Sequence, residues 1–444
     1  MNPIEMSEIG EVIRKVRKER GLRLEDLADE NISPATVSNI ERGVPHVSPT
    51  KIHYLMEKLG LDINQLPELL KDEQQKMQDL WLTLQSIESK LDLGVTEGLW
   101  DQLRGLDLDD AHPFAAYYYY LRGKYQKHRR NWKRAEREFS NAIRLADQSE
   151  EGKRENIEAA SFNELALCSY YQNNLEQAIR YTENGIEAFL PDQGRRYYKY
   201  ILMTNKAAYL EKAGRYEEAL RAVQELWNHL PEIQNISVIL YLYELRAVLL
   251  RRSGMYDEAI RYAQEGLEIA RINKQFDRSF DLWSALGSVY MAKKEWKKAE
   301  ICYRTALSLK GTFEDEAVFV SAYSDLGTLY MLQEKWEEAE EALSQAIELG
   351  RSLNDALRLV GALLVMGECK QKQQQFQQAI PYLEEALSLT EKYGYKQLQY
   401  DALFLLSRCW EQVDREQFSK TIEQMYQVQV ELNQQKGQSL LDRI

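Results

Sequence analysis

The stretch WSALGSVY at 283–290, followed by WKKAEICYRTA at 296–306, decides how this chain reads. Forty residues later the pattern returns as YSDLGTLY at 323–330 and WEEAEEALSQA at 336–346. Outward from Ala299, an alanine recurs at Ala135, Ala178, Ala219, Ala259, Ala339 and Ala379, in steps of 43, 41 and then 40 residues. Twelve residues before each alanine stands a small residue: Gly123, Ala166, Ala207, Ala247, Gly287, Gly327 and Gly367. Three residues before stand Trp132, Leu175, Tyr216, Tyr256, Trp296, Trp336 and Phe376, aromatic in all but one case. A small residue on each of two helices lets their backbones approach closely. An aromatic at the start of the second helix fills the wedge between neighbours. Self-similarity of this kind reads as a stack of helix pairs, each burying its apolar face against the next.

Composition is consistent with that reading. The chain has 444 residues, 44% of them apolar, enough for a large core, and only nine prolines to interrupt helices. Its net charge of −13 excludes a protein held to nucleic acid by bulk charge, though not a local reading patch. No apolar run is long enough for a membrane span or a signal peptide, which predicts a cytoplasmic protein. Cys168, Cys302, Cys369 and Cys409 are far apart and form no CxxC pair, so neither a zinc site nor a disulfide framework is expected. Phosphate-loop, dinucleotide and hydrolase motifs are absent. No nucleophile, base and orienter cluster, so an enzyme is not expected, nor a cofactor.

Residues 6–70 have a different texture. Ile9, Val12, Ile13 and Val16 give one face of a first helix, which Gly21 ends. Leu24 to Ala28 predicts a short second helix. Ser33 is an N-cap and Pro34 suits the first position of a third helix, running to Arg42 and stopping at Gly43. Ser48-Pro49 opens a fourth helix through Leu59, and Asp62 caps a fifth. Positive charge gathers at Arg14, Lys15, Arg17, Lys18, Arg20 and Arg23, with Arg17 expected to pair with Glu41 inside the domain. Residues 73–110 read as two lead-in helices, and 395–435 as a last, degenerate helix pair that caps the array.

Two resemblances follow. The units between about 114 and 390 resemble tetratricopeptide repeats, most strongly over 283–390. Their period of 40 exceeds the usual one of about 34, which implies longer helices. GLRLEDLA at 21–28 with SPATVSNIERG at 33–43 resembles the helix-turn-helix of the phage-repressor-like (Xre/Cro) family, although the step from Ala28 to Ser33 is one residue short of that pattern. Together they imply an all-α fold: a small helix-turn-helix domain at 1–70, a linker with lead-in helices at 71–112, seven repeats of a right-handed superhelix at 113–394, and capping helices with a tail at 395–444.

The second resemblance implies that the third helix enters the major groove by its N-terminal end. Ala35, Thr36 and Asn39 would then face base edges, and Arg23, Ser33, Ser38, Arg42 and Lys51 would contact phosphate or position the domain. The two-part architecture resembles the Rap/Rgg/NprR/PlcR/PrgX group, the cytoplasmic receptors for short signalling peptides, and is nearest the NprR-like type. That implies a transcriptional regulator that binds a double-stranded operator as a homodimer or larger. The first helix of each repeat should line the concave face. Positions fifteen and eleven residues before the reference alanine are mostly small there, with hydroxyls and few charges. Asn163, Thr204, Asn205, Glu244, Arg251, Ser284, Ser288 and Thr328 are the candidate peptide contacts, amides holding its backbone and Glu244 and Arg251 reading its charge. The rival reading is a repeat scaffold that binds a protein partner such as a response regulator.

Overall fold

The computed structural model describes residues 3–44, 46–61, 66–172 and 174–435, and every regular element among them is helical. Four elements make the N-terminal bundle: α1 (Pro3–Glu19), a 3-10 turn (Glu25–Leu27), α2 (Pro34–Glu41) and α3 (Pro49–Lys58). Ile9, Ile13, Leu27, Val37, Ile40, Leu55 and Leu59 meet in its core. Gly10 is required there, because a methyl group would collide with the Ile40 carbonyl oxygen.

The expected second helix is only that 3-10 turn. The link to Ser33 is instead pinned by Asp29. Its backbone N–H and C=O both pair with Ile32, at 2.9 and 3.3 Å. Its carboxylate accepts from the Asn31 N–H at 2.9 Å, the Tyr54 hydroxyl at 2.6 Å and Lys58 at 2.5 Å. These bonds hold the Asp29 carboxyl well below the usual range, the Lys58 bond being the largest cause. Local bonds of this kind compete with helix formation.

Helix α4 (Leu66–Asp92) is continuous over 27 residues, so the expected division at 70 falls inside a helix. The expected cap Asp62 lies outside the described residues. After α5 (Leu99–Leu106) come seven helix pairs. They are α6 (Ala115–His128) with α7 (Trp132–Ala146), then, past a short α8 (Glu150–Arg154), α9 (Ile157–Tyr171) with α10 (Leu175–Ala188), and α11 (Tyr198–Lys212) with α12 (Tyr216–Asn228). Next are α13 (Ile236–Arg252) with α14 (Tyr256–Ile272), α15 (Phe276–Ala292) with α16 (Trp296–Leu307), α17 (Val318–Leu332) with α18 (Trp336–Ser352), and α19 (Ala356–Lys372) with α20 (Phe376–Tyr393). An eighth pair, α21 (Lys396–Val413) and α22 (Arg415–Gln435), covers the stretch read from the sequence as a last helix pair; residues 436–444 of the expected tail lie outside the described residues. The insertion of α8 accounts for the long first step of the repeat.

The chain forms two compact bodies, Met1–Ala222 and Val223–Ile444. In the N-terminal body, Arg195 clamps Glu88 of α4 through two bonds of 2.6 Å, and Tyr120 and Tyr198 share a buried hydroxyl contact of 2.6 Å. In the C-terminal body the small residues do what their spacing predicts. Gly287, Gly327 and Gly367 each lie against a side chain sixteen residues on, respectively Tyr303, Leu343 and Leu383.

Candidate functional site

Helix α2 is short, and its start is set by Ser33, whose hydroxyl accepts from the Thr36 N–H at 3.2 Å and lies 2.9 Å from the Thr36 hydroxyl. Such a cap satisfies one of the open donors at a helix start. Val37, Ile40 and Glu41 turn inward. Ala35, Thr36, Asn39 and Arg42 share the opposite face, as their spacing requires. Ala35 and Arg42 are exposed, as are Ser33, Arg23 and Lys51, while Thr36, Ser38 and Asn39 are half-buried. Arg42 donates to the Asn39 amide oxygen at 2.6 Å, which leaves the Asn39 N–H2 group as its outward donor.

The basic cluster of α1 is partly consumed inside the body. Arg17 pairs with Glu41 through bonds of 2.5 and 2.9 Å and caps the Leu22 carbonyl at 2.8 Å, as the sequence suggested. Buried Arg14 and exposed Lys18 both bind Asp109, Lys18 at 2.6 Å. Against the upward pull of burial, these two cations hold the Asp109 carboxyl at about 2. The α2 end and the first repeat together line a cavity of about 460 Å³, with Arg42 and Val44 on one side and Asp110, His112 and Lys153 on the other. Arg20, Arg23, Arg42 and Lys51 remain as exposed cations of the helix-turn-helix domain.

The candidate peptide contacts divide between the two bodies. In the N-terminal body, Asn205 donates to the Asn163 oxygen at 2.9 Å. Asn163 and Thr204 are closed in, 3% and 1% exposed, so of the three expected contacts only Asn205 is half-open to a ligand. Helix packing takes the other two: the pair of amides satisfies itself, and the Thr204 hydroxyl is shut off from solvent.

In the C-terminal body, Glu244, Arg251, Ser284, Ser288 and Thr328 are all half-buried. The hydroxyls of Ser288 and Thr328 donate to carbonyls of their own helices, at 2.7 and 2.8 Å, and keep lone pairs for a ligand. Further polar groups, which the sequence does not mark, stand beside these candidates. Arg278 of α15 lies within 4.0 Å of Glu244 and bonds Asp281 at 3.2 Å. Burial pushes the Asp325 carboxyl up to about 7 against the pull of Arg251. Beside that pair the Tyr303 hydroxyl is buried without a hydrogen-bond partner, as is the Ser284 hydroxyl on α15. A buried polar atom without a hydrogen-bond partner costs stability.

Among the described residues no group of His, Cys, Asp and Glu is placed to hold a metal ion, and no helix is long and apolar enough to cross a membrane. The four cysteines are buried, and burial pushes the Cys168 and Cys302 thiols up to about 12.

Residues 8–69 match the helix-turn-helix domain family, and residues 278–352 and 318–392 match tetratricopeptide repeat. The chain joins a helix-turn-helix domain to tetratricopeptide repeats. Three solved structures share its fold at low identity. A Rap protein complexed with competence and sporulation factor matches at 13% identity and a TM-score of 0.56, over 81% of this chain and 99% of that one. NprR in complex with its cognate peptide NprX matches at 16% and 0.53, over 80% and 98%. The apo form of the quorum sensor NprR from B. thuringiensis matches at 15% and 0.52, over 84% and 99%. Comparison with curated proteins gave no match. At these identities the likeness is one of fold.

Proposed function

We propose that this protein is a sequence-specific DNA-binding transcriptional regulator, nearest the NprR-like type, whose repeats bind a short signalling peptide. Peptide binding changes oligomer geometry and thereby DNA affinity. The observation that carries the reading is the self-capped α2, which turns Ala35, Thr36, Asn39 and Arg42 outward from a body that also contains the first repeats. A single helix-turn-helix reads few bases, so the working form is a homodimer that reads two half-sites. Thr36 and Asn39 touch base edges, Ala35 packs against a thymine methyl, and Arg23, Ser33, Ser38, Arg42 and Lys51 hold phosphates. The ligand half rests on the half-buried polar side chains of three successive repeats in the C-terminal body: Glu244 and Arg251 of α13, Ser284 and Ser288 of α15, and Thr328 of α17. The cognate peptide NprX in the NprR complex of similar fold supports a peptide as that ligand. The protein acts by binding, and its coupling is the difference in peptide affinity between DNA-competent and DNA-incompetent states.

A second reading is favoured by the reduction of the first motif helix to a 3-10 turn. On it, the helix-turn-helix is a protein contact and the repeats bind a partner such as a response regulator. An anisotropy titration of a labelled operator, with and without the short-peptide fraction of the producing cell, tests the sensing half. A shift of tenfold or more in operator affinity, abolished by Ser284→Val, is the expected result. Unchanged affinity with every peptide fraction sinks it.

A further inference from the structure

The C-terminal body holds a cavity of about 570 Å³ on the side of α15 away from the polar lining. Leu267 of α14, Trp283, Leu286 and Tyr290 of α15, and Ile301 and Cys302 of α16 form its walls. On α15 the wall residues follow helical spacing, and Ser284 and Ser288 point from the opposite face. The cavity is therefore separate from the candidate peptide contacts.

Two departures from the repeat make it. Helix α16 has 12 residues where α14 and α18 have 17: it ends at Leu307, and the chain turns away through Gly311, whose φ is +81°. The flank of α14 stays uncovered as a result. At the position of Cys302 the repeats on either side carry Tyr262 and Ala342, and the one beyond carries Tyr382. At the position of Ile301 they carry Arg261, Glu341 and Pro381. So the tyrosine of repeats four and seven is replaced by a small residue here, as it is at Ala342, and Ile301 stands 61% exposed where a surface residue belongs.

The charge around the cavity also departs from the whole. The chain carries −13, yet residues 271–310 hold nine basic and four acidic side chains. Arg271, Lys274 and Lys298 stand on the cavity's rim, with Glu268 the one acidic wall residue. Arg271 bonds that glutamate at 2.7 Å, and Lys298 bonds Glu295 at 2.5 Å. Lys274 is exposed at the turn after α14.

We propose that this cavity binds a small amphiphilic anion: a single acyl chain lies along Leu267, Trp283, Leu286 and Ile301, and its carboxylate or phosphate head meets Lys274 and Lys298. The volume fits the range of about 300–1,000 Å³ typical of small-molecule sites, which combine apolar walls with a few placed polar groups. A concave cavity favours one chain over a flat lipid surface. The basic rim selects an anion over a neutral or cationic head.

The test uses the full-length protein, titrated calorimetrically with dodecanoate, dodecyl phosphate and dodecanol below their micelle concentrations. One anion per chain, bound at least tenfold more tightly than dodecanol, is expected; which anion binds better distinguishes a fatty acid from a phospholipid-type head. Cys302→Tyr, which restores the filler of repeats four and seven, should weaken binding at least tenfold. Ile301→Glu, matching Glu341, is the second variant should Cys302→Tyr fail to fold. Lys274→Glu with Lys298→Glu should bring the anion down to the affinity of dodecanol. No saturable binding of either anion overturns the proposal, and so does binding that Ile301→Glu leaves unchanged. Binding of an acidic amphipathic helical peptide with neither anion bound also overturns it, and assigns the groove to a protein partner instead.

Discussion

A methyl group on Gly367 would run into the Leu383 side chain, and the same conflict holds Gly287 against Tyr303 and Gly327 against Leu343. The rule is one of conserved volume. Where the earlier position is Ala (Ala166, Ala247), the residue sixteen on is Thr182 or Ala263, smaller than Leu, Phe or Tyr. Gly367→Ala should therefore destabilise the C-terminal body by about 1–3 kcal/mol through overpacking. Adding Leu383→Val should return part of that loss, read by chemical denaturation of the two variants. Additive losses would show that the two positions are not sharing one volume.

Asp325 gives a prediction of opposite character. Its folded carboxyl sits at about 7 against an ordinary 3.8, so between those values the folded chain holds the proton more tightly than the unfolded one. That contribution to stability is present in acid and lost as pH rises through about 7. Relative to the wild type, Asp325→Asn should gain roughly 2–3 kcal/mol between pH 5 and pH 8, since one pKa unit is worth about 1.4 kcal/mol. A gap that does not grow with pH, in denaturation measured at both values, contradicts the assignment.

At the scale of elements, the turn between the two helices of a repeat recurs in one conformation. Gly214, Gly254, Lys294, Glu334 and Gln374 all have positive φ, between +58° and +77°. Only the first two have the residue that adopts it without cost. For an L-residue with a side chain that region costs about 1–2 kcal/mol. Glu334→Gly should raise stability by about 0.5–1 kcal/mol, seen as a higher melting temperature with no change in helix content. A lower melting temperature would mean that the Glu334 side chain stabilises the turn.

The elements also show why some of the structure was legible and some was not. The repeats were readable because their decisive contacts are short in sequence and recur at fixed spacing, as between Gly287 and Tyr303. The start of α2 was readable because Ser33 and Pro34 act within one turn. The loss of the second motif helix was not, since it depends on Asp29 meeting Tyr54 and Lys58, well over twenty residues away. Asp109 gave no local sign that it would hold Arg14 and Lys18. Among the ligand candidates, Asn163 and Thr204 were chosen by register alone, and packing closes both. Asp325 sits one residue after Ser324, the position fifteen before Ala339, and Tyr303 belongs to a second helix, where an aromatic reads as core.

At the scale of the whole molecule, the proposed function joins a DNA-reading head to a ligand-binding repeat array. In the N-terminal body the junction is physical: Asp109 pins α1, and Arg42 and Val44 share a cavity with the first repeat. Under the proposed function, a change in the repeats next to that junction would shift the head without any new contact to DNA, which is what coupling between distinct sites requires. Salt dependence should be moderate, because few exposed cations remain in the helix-turn-helix domain and each phosphate contact contributes about one unit of slope.

Genomic-DNA pull-down with sequencing tests the central claim most directly, with the purified wild type run beside a Thr36→Ala, Asn39→Ala variant. The account predicts that the wild type, with the short-peptide fraction of its own cell present or absent, enriches a discrete inverted repeat that the variant does not. Its half-site spacing would give the separation of the two reading helices. Equal and featureless recovery by both proteins under both conditions would contradict the account and leave the repeats as a scaffold for a protein partner.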